Sequence, residues 1–480
     1  MMITNRIKSC FMLLVLVVFA VSCSESRQDY VCVIPNDATA VISVDLESMA
    51  EKSTLSHSSK LNDIRKYMRY MVSDEVKDGV DALIDDPSLS GIDFSQPAYI
   101  FMTPNRCVGL TMKVEDESML EELVGVMEKQ GFCSRIKKHD GLQWSTLMED
   151  INIVFSGNTM LMMTQVDGTT AIGSRKMQSM MLSLMQMEGE DSFASSDTYE
   201  KMLLQENGDI RIYANLSVLP LDMVKEYKRL FPVAARLSDV RMVGCVAFEN
   251  GEARMNTILY SNNAKIQKLI EGIYSSMKPI EGQYMNYLEK DIDMYLLAGI
   301  KGDKALEYLK KIPRVREYLV GVNLAIDCDN IIRSINGDIQ LSMKDEHSYS
   351  LISHLENNDV MNDIDEWMKS SREYGIEFSR HGSGQYRIEN DGSTYYITTN
   401  GNDLYVGSEP KELNLKDNSA RLNEEQKGKY IYMNLNIKDK YPFVDRVEIS
   451  SANVGETEFT VKMKNPSENI LKQLLEQWKL

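Results

Sequence analysis

Methionine supplies the first candidate chemistry in this chain. Met177, Met180, Met181, Leu184 and Met185 recur at spacings of three and four residues, and Met187 follows. Thioether sulfur is a soft ligand suited to Cu(I). The same spacing also describes the buried face of a helix, and with 31 methionines in the chain such clusters arise readily. Core or partner packing is the leading reading of the stripe, and copper handling the alternative. The five histidines are His57, His139, His347, His354 and His381, and none forms an HExxH pair or another zinc spacing. His347 and His354 fall seven apart on a helix expected over 347–369, roughly 10.5 Å along its axis, too far for one metal without a third element. A GxSxG nucleophile and the glycine-rich phosphate loops are absent. Gly382-Ser383-Gly384 reads as a flexible turn between strands. Two carboxylate pairs remain: Asp85-Asp86 before Pro87, and Asp327 and Asp329 flanking Cys328 at an expected hairpin turn. A glycoside hydrolase holds two carboxylates about 5–9.5 Å apart, whereas turn and capping roles explain isolated Asp pairs equally well. Neither pair completes a calcium loop. No catalytic residue, metal ligand or cofactor-binding residue is assigned, and no cofactor is expected.

One residue has a more definite chemistry. Arg6 and Lys8 precede an apolar run from Phe11 to Val21, and Ala20-Val21-Ser22-Cys23 leads into the polar stretch Ser24-Glu25-Ser26-Arg27-Gln28-Asp29. This is the pattern of an export signal. The run is about half of the roughly 20 residues a spanning helix needs. With Cys directly after small residues, the segment resembles a bacterial lipobox. That resemblance implies cleavage before Cys23 and lipid on its thiol and on the new amino terminus. Residues 1–22 are then the signal peptide, and 23–29 the lipidated anchor and tether. The alternative is a plain secretory signal with a coincidental Cys. Ser24, where Asp would favour the inner membrane, points to the outer membrane of a cell envelope, with the periplasmic or surface face open. Beyond Cys10 and Cys23 the cysteines are Cys32, Cys107, Cys133, Cys245 and Cys328, an odd number with no CxxC. They read as small hydrophobes, Cys107, Cys245 and Cys328 lying in or beside strand-like segments.

The composition fits a folded, acidic, exported body. The chain has 480 residues with 43% apolar and 26% charged content, ordinary globular values. Signal cleavage removes two bases and no acids, moving the net charge from −18 to about −20. An acidic surface without a basic, aromatic-interleaved cluster disfavours nucleic acid as a partner. The expected partners are the membrane, through the anchor, and an envelope protein or glycan.

The elements that must position any site show an internal duplication. The segments 241–273 and 445–478 share a strand, turn, strand, helix order, with Gly251-Glu252 and Gly455-Glu456 at the same place. Upstream, 210–216 matches 430–436, 151–165 matches 395–409, 98–114 matches 323–343, and 39–46 matches 292–299. Strands alternate apolar and polar residues, as in Ala40 to Leu46, which predicts antiparallel sheet. Asn336-Gly337, Asn400-Gly401 and Gly157-Asn158 supply hairpin turns. Helices are expected over 59–72, 74–85, 116–130, 176–190, 262–275, 302–311, 347–369 and 465–478, the last with Pro466 at its start. The predicted fold class is α+β: two tandem duplicated units of antiparallel sheet with helices packed on one face. The first unit covers 30–280 with an insertion at 172–206, and the second covers 290–480.

The opening 29-DYVCVIPNDATAVISVDLESMAEKSTLS-56 and the later 90-SGIDFSQPAYIF-101 resemble an uncharacterised Bacteroidetes cell-envelope lipoprotein family catalogued as a domain of unknown function. The resemblance implies an envelope lipoprotein and transfers no catalytic residue. The expected function is a non-enzymatic binding or scaffolding module. The alternative is an envelope hydrolase acting on glycan or peptide through acidic residues.

Overall fold

The computed structural model of the protein describes residues 29–148, 150–165, 173–187, 189–205, 208–218, 236–288, 292–323, 327–345, 347–357, 359–390, 392–413, 422–438 and 440–477. The expected signal peptide and Cys23 lie outside the described residues. The fold class is α+β, and the strand pairings described below are all antiparallel. Two compact units divide the chain. The first comprises the described residues of Met1–Val218, Met242–Ala253 and Pro466–Leu480, and the second those of Leu219–Arg241 and Arg254–Asn465.

The first unit runs β1 (Ala40–Val44), α1 (Leu46–Ser53), α2 (Ser59–Met71), α3 (Lys77–Asp85), β2 (Ala98–Met102), β3 (Cys107–Lys113) and α4 (Glu117–Lys129). It continues with β4 (Lys137–His139), β5 (Leu142–Leu147), β6 (Ile151–Ser156), β7 (Thr159–Gln165), α5 (Ser174–Met185), α6 (Asp197–Leu203) and β8 (Ile210–Asn215). Strand β9 (Arg241–Glu249) ends the series before Gly251, and β10 (Glu252–Tyr260) belongs from Arg254 onward to the second unit. The sheet order is β4-β5-β6-β7-β3-β2-β1-β8. Met112 stands opposite Met160, which stands opposite Phe155, so all three share one face of the sheet. The alternate residues Val154, Leu161 and Met163 are buried as well. The one-sided covering expected from alternation therefore does not extend to β6 and β7, against which α5 packs.

The second unit holds α7 (Ala264–Ser275), β11 (Met277–Lys278), β12 (Met294–Lys301), α8 (Gly302–Leu309), α9 (Pro313–Val322), α10 (Cys328–Ser334), β13 (Ile335–Met343), β14 (Tyr349–Leu355) and α11 (Ile364–Glu373). Then follow β15 (Glu377–Gly382), β16 (Gln385–Asn390), β17 (Ser393–Asn400), β18 (Asp403–Gly407), β19 (Ile431–Asn436), β20 (Val444–Ser451) and β21 (Glu456–Met463). Their order is β15-β16-β17-β18-β14-β13-β12-β19-β20-β21. Counted from the first strand of each series, the two units follow the same path through their sheets.

Two local expectations are corrected. Residues 347–369 are not one helix. Tyr349–Leu355 is a strand paired on both edges, and helix begins only at Ile364. Tertiary pairing overrides the apolar spacing there, and Tyr349, Leu351, Ser353 and Leu355 follow the period of two. Residues 323–343 are not a hairpin either, because Asp327 caps α10, accepting from the Asn330 N–H at 3.1 Å. Cys328 accordingly opens a helix.

A buried carboxylate pins the first unit together. Asp209, directly before β8, is 4% exposed. It accepts from Ser48 Oγ at 2.5 Å, Lys52 Nζ at 2.6 Å and the Phe248 N–H at 2.7 Å. Its backbone carbonyl accepts from Asp45, the residue that caps α1, and its N–H donates to Val246. Charge-assisted bonds are worth about 1.5–3 kcal/mol each, and Lys52 is exposed enough to recover hydration. Asp209→Ala is expected to lower unfolding free energy by about 2–4 kcal/mol in urea melts. Lys52→Ala, which leaves two donors on the carboxylate, is expected to cost less.

Candidate functional site

A cavity that could hold a ligand grows from short-range rules in the first unit. Ser58 caps α2, accepting from the Lys60 N–H at 3.2 Å. Arg65 pairs with Asp85 at 2.5 Å and Asp81 at 3.8 Å, and Arg69 also pairs with Asp81, which fastens α2 to α3. The inner side of this helical hairpin presents Met68, Met71, Val76, Val80 and Leu83. Asp116 caps α4, accepting from the Ser118 and Met119 N–H groups at 2.8 and 3.0 Å. That helix ends before Gly131, which adopts a left-handed φ of 77°. It contributes Leu120, Leu123, Val124 and Met127.

The phrase 91-GIDFSQP-97 supplies the floor. Gly91 has φ 77°, and a methyl group there would lie 2.2 Å from the Asp116 carbonyl oxygen. Only glycine fits that position. Asp93 then accepts from the Ser95 N–H at 3.1 Å, Ser95 Oγ at 2.5 Å and Lys113 Nζ at 2.9 Å. Burial raises the Asp93 carboxyl, but the Ser95 and Lys113 bonds outweigh it and hold the group below the usual carboxylate range. The turn places Ile92 and Phe94 in the apolar cluster with Met112, Ile153, Met160 and Met162. Pro97 closes the phrase, and its carbonyl accepts from the Tyr30 hydroxyl at 2.7 Å. The two stretches that carried the family resemblance therefore meet in the structure.

These elements enclose a cavity of about 580 Å³, within the range of small-molecule sites. Of its 28 lining residues, four are polar: Glu75, Ser90, Glu122 and Gln130. Ser90 Oγ accepts from the Ile92 N–H, and Gln130 Oε1 from the Ser73 N–H, so both are engaged. Glu75 and Glu122 are exposed. Eight lining residues are methionine, a side chain that adapts to irregular occupants. Among the described residues no lysine, arginine or histidine lines the space.

The second unit has a helix with the same spacing to a left-handed glycine but different packing. Leu120 and Leu123 precede Gly131 by eleven and eight residues, and Ile364 and Trp367 precede Gly375, also at φ 77°, by the same intervals. Leu120 and Ile364 are both buried. Where the first unit has Leu123 beside open space, the second has the Trp367 indole buried with Leu355, Phe378, Tyr386 and Leu404. A smaller, polar cleft of about 280 Å³ in the second unit is lined by Lys344, Asp345, Ser348, Ser350, Ser408 and Glu409.

The residues singled out by sequence take structural places. Met177, Met181 and Leu184 form the buried face of α5, next to β6 and β7. Asp85 pairs with Arg65, Asp86 caps a short 3-10 turn, Asp327 caps α10, and Asp329 pairs with Lys310. The five described cysteines are free thiols. Ser383 sits in the turn between β15 and β16. His57, His139, His347 and His381 are exposed. Among the described residues no three His, Cys, Asp or Glu side chains are grouped to hold a metal ion.

Sequence spacing missed one cluster altogether. Buried Asp403 accepts from the Tyr284 hydroxyl at 2.5 Å, and His354 Nδ1 lies 3.1 Å from the same oxygen. Burial, then the bond to Asp403, pushes the Tyr284 phenol well above its ordinary range. The arrangement orients His354. Tyr284 and His354 lie 119 and 49 residues from Asp403, so no local signal could reveal it.

Comparison with known proteins follows from the whole chain. The profile of one family, described as Domain of unknown function (DUF4836), matches residues 30–470. No curated protein matches. Two solved structures, crystal forms IV and I of TP0453, are similar at 12% identity. They cover 51% and 53% of this chain and 85% and 88% of theirs, with TM-scores of 0.29 and 0.27. Likeness at that level carries no argument about fold or function. Among the described residues no helix is long and apolar enough to cross a membrane.

The Asp93 turn generates a pH prediction. A carboxyl depressed in the folded state contributes stability above its unfolded pKa, near 3.9, and loses it as pH falls through the folded value. Asp93→Asn is expected to cost about 1–2 kcal/mol at pH 7 and to flatten the decline of melting temperature below about pH 4. Thermal melts across that range measure both effects.

Proposed function

The chain belongs to the DUF4836 family, and we propose that it is a non-enzymatic binding module held at a cell envelope, with an apolar ligand taken up by its first unit. The observation that carries this reading is the cavity of about 580 Å³ with four polar residues among 28. Water gains little in such a space, because few groups can bond it. An apolar occupant would bury surface at about 25 cal/mol per Å². The residues proposed by sequence for hydrolysis are engaged in caps and ion pairs, which favours binding over catalysis.

The address is part of the proposal. Cys23 is the lipidated residue, the signal is 1–22, and the lipid anchor holds the protein at the outer membrane. A Bacteroidetes envelope lipoprotein would combine this tether with an acidic body. The matching strand orders and the equivalent glycines, Gly131 and Gly375, support two copies of one ancestral unit. In this view the first copy kept open space where the second buried Trp367.

Two experiments test the proposal. Cells fed labelled palmitate are expected to label the wild-type protein and not Cys23→Ser. Equal labelling of both would remove the anchor from the proposal. Recombinant residues 24–480 are expected to bind a neutral apolar fluorophore, with binding lost in Leu123→Trp. That variant installs the second unit's side chain in the cavity and is expected to keep or raise the melting temperature. Wild-type protein that binds no apolar probe would end the reading.

A further inference from the structure

We propose that the ligand of this cavity is a single unbranched alkyl chain with an uncharged polar head, the chemistry of a monoacylglycerol. The chain lies among the methionines and the head emerges between Glu75 and Glu122. This rests on the apolar-binding reading of the first unit and names its ligand class.

Volume sets the first limit. A space of about 580 Å³ lies within the range that holds one small ligand, which suits a single long chain.

The lining sets the second. Ile92, Phe94, Met112, Leu120, Val124 and Met160 form a floor that is buried and apolar. A polar head placed there would face apolar side chains, with the Ser90 hydroxyl, which already accepts from the Ile92 N–H, as the one polar group beside the floor. The head must therefore stay at the exposed side. Methionine walls suit a flexible chain that has no fixed outline.

Charge sets the third. The exposed residues of the lining include two carboxylates, Glu75 and Glu122, and among the described residues no cation lines the cavity. The chain as a whole carries −18. An ionised fatty acid would place a third negative charge beside two others, whereas a neutral glycerol head would donate hydrogen bonds to the carboxylates at no electrostatic penalty.

Displacement of a bound neutral fluorophore tests the class at about pH 8, where fatty acids are ionised. Monoacylglycerols of 8 to 18 carbons are expected to tighten about fourfold per methylene, from about 0.8 kcal/mol each, and to level off near the longest chains. Fatty acids of equal length are expected to bind about tenfold more weakly. In the double variant Glu75→Lys, Glu122→Lys that order is expected to reverse, and both sites are exposed, so folding is preserved. Binding that is independent of chain length would overturn the alkyl-chain assignment. Equal affinity for acid and glyceride in both proteins would overturn the head-group assignment. A fluorophore that does not bind wild type at all would instead remove the apolar-binding reading beneath both.

Discussion

The first unit depends on a backbone constraint at Gly91. Its left-handed φ leaves no room for a side chain, because a methyl would strike the Asp116 carbonyl. The same glycine accepts, through its own carbonyl, from the N–H groups of Glu115 and Asp116. One residue thus fixes both the turn that delivers Ile92 and Phe94 and the entry to α4, whose first N–H groups Asp116 caps. The floor and one wall of the cavity share an origin. Shifting that turn would move both together.

Buried and half-buried carboxylates do comparable positioning elsewhere. Asp93 closes its own turn against Ser95 and Lys113. Asp209 gathers α1, β8 and β9 of the first unit. In the second unit Asp338 accepts from the N–H groups of Glu281, Gly282 and Gln283, and Asp403 holds Tyr284 and His354. Each is surrounded by donors, which is what makes an ionised group tolerable inside a protein. The acidic composition is therefore put to structural use in the interior, and to solvation outside.

Apolar volume is divided unequally between the two units. A helix of the same length of approach, ending at a glycine with the same φ, carries Leu123 in one and Trp367 in the other. Interiors are close-packed, and an unfilled space costs stability. A cavity the size of the one in the first unit is thus a feature that packing alone would remove. In the second unit the Trp367 indole is packed among Leu355, Phe378 and Tyr386.

Much of the secondary structure was legible locally. Helices expected at 59–72, 116–130 and 302–311 appear at Ser59–Met71, Glu117–Lys129 and Gly302–Leu309, since caps and apolar periodicity are short-range signals. The strand at Tyr349–Leu355 was misread because its apolar residues also suit a helix until β13 and β18 pair with it. The Met stripe of α5 was readable as a buried face, and is one. By itself, the sequence determined the α+β class, most helix limits, the hairpin glycines Gly157 and Gly401 and the acidic charge, all set by neighbours a few residues apart, whereas Asn336-Gly337, expected at a turn, lies within β13 opposite β12. Only the tertiary structure decided that Met68, Phe94, Leu123 and Met162 surround open space, while Trp367 does not. Each of those residues has the sequence signature of ordinary core. Whether a core is filled depends on the summed volume of side chains brought together from distant segments, a quantity with no local trace in the chain.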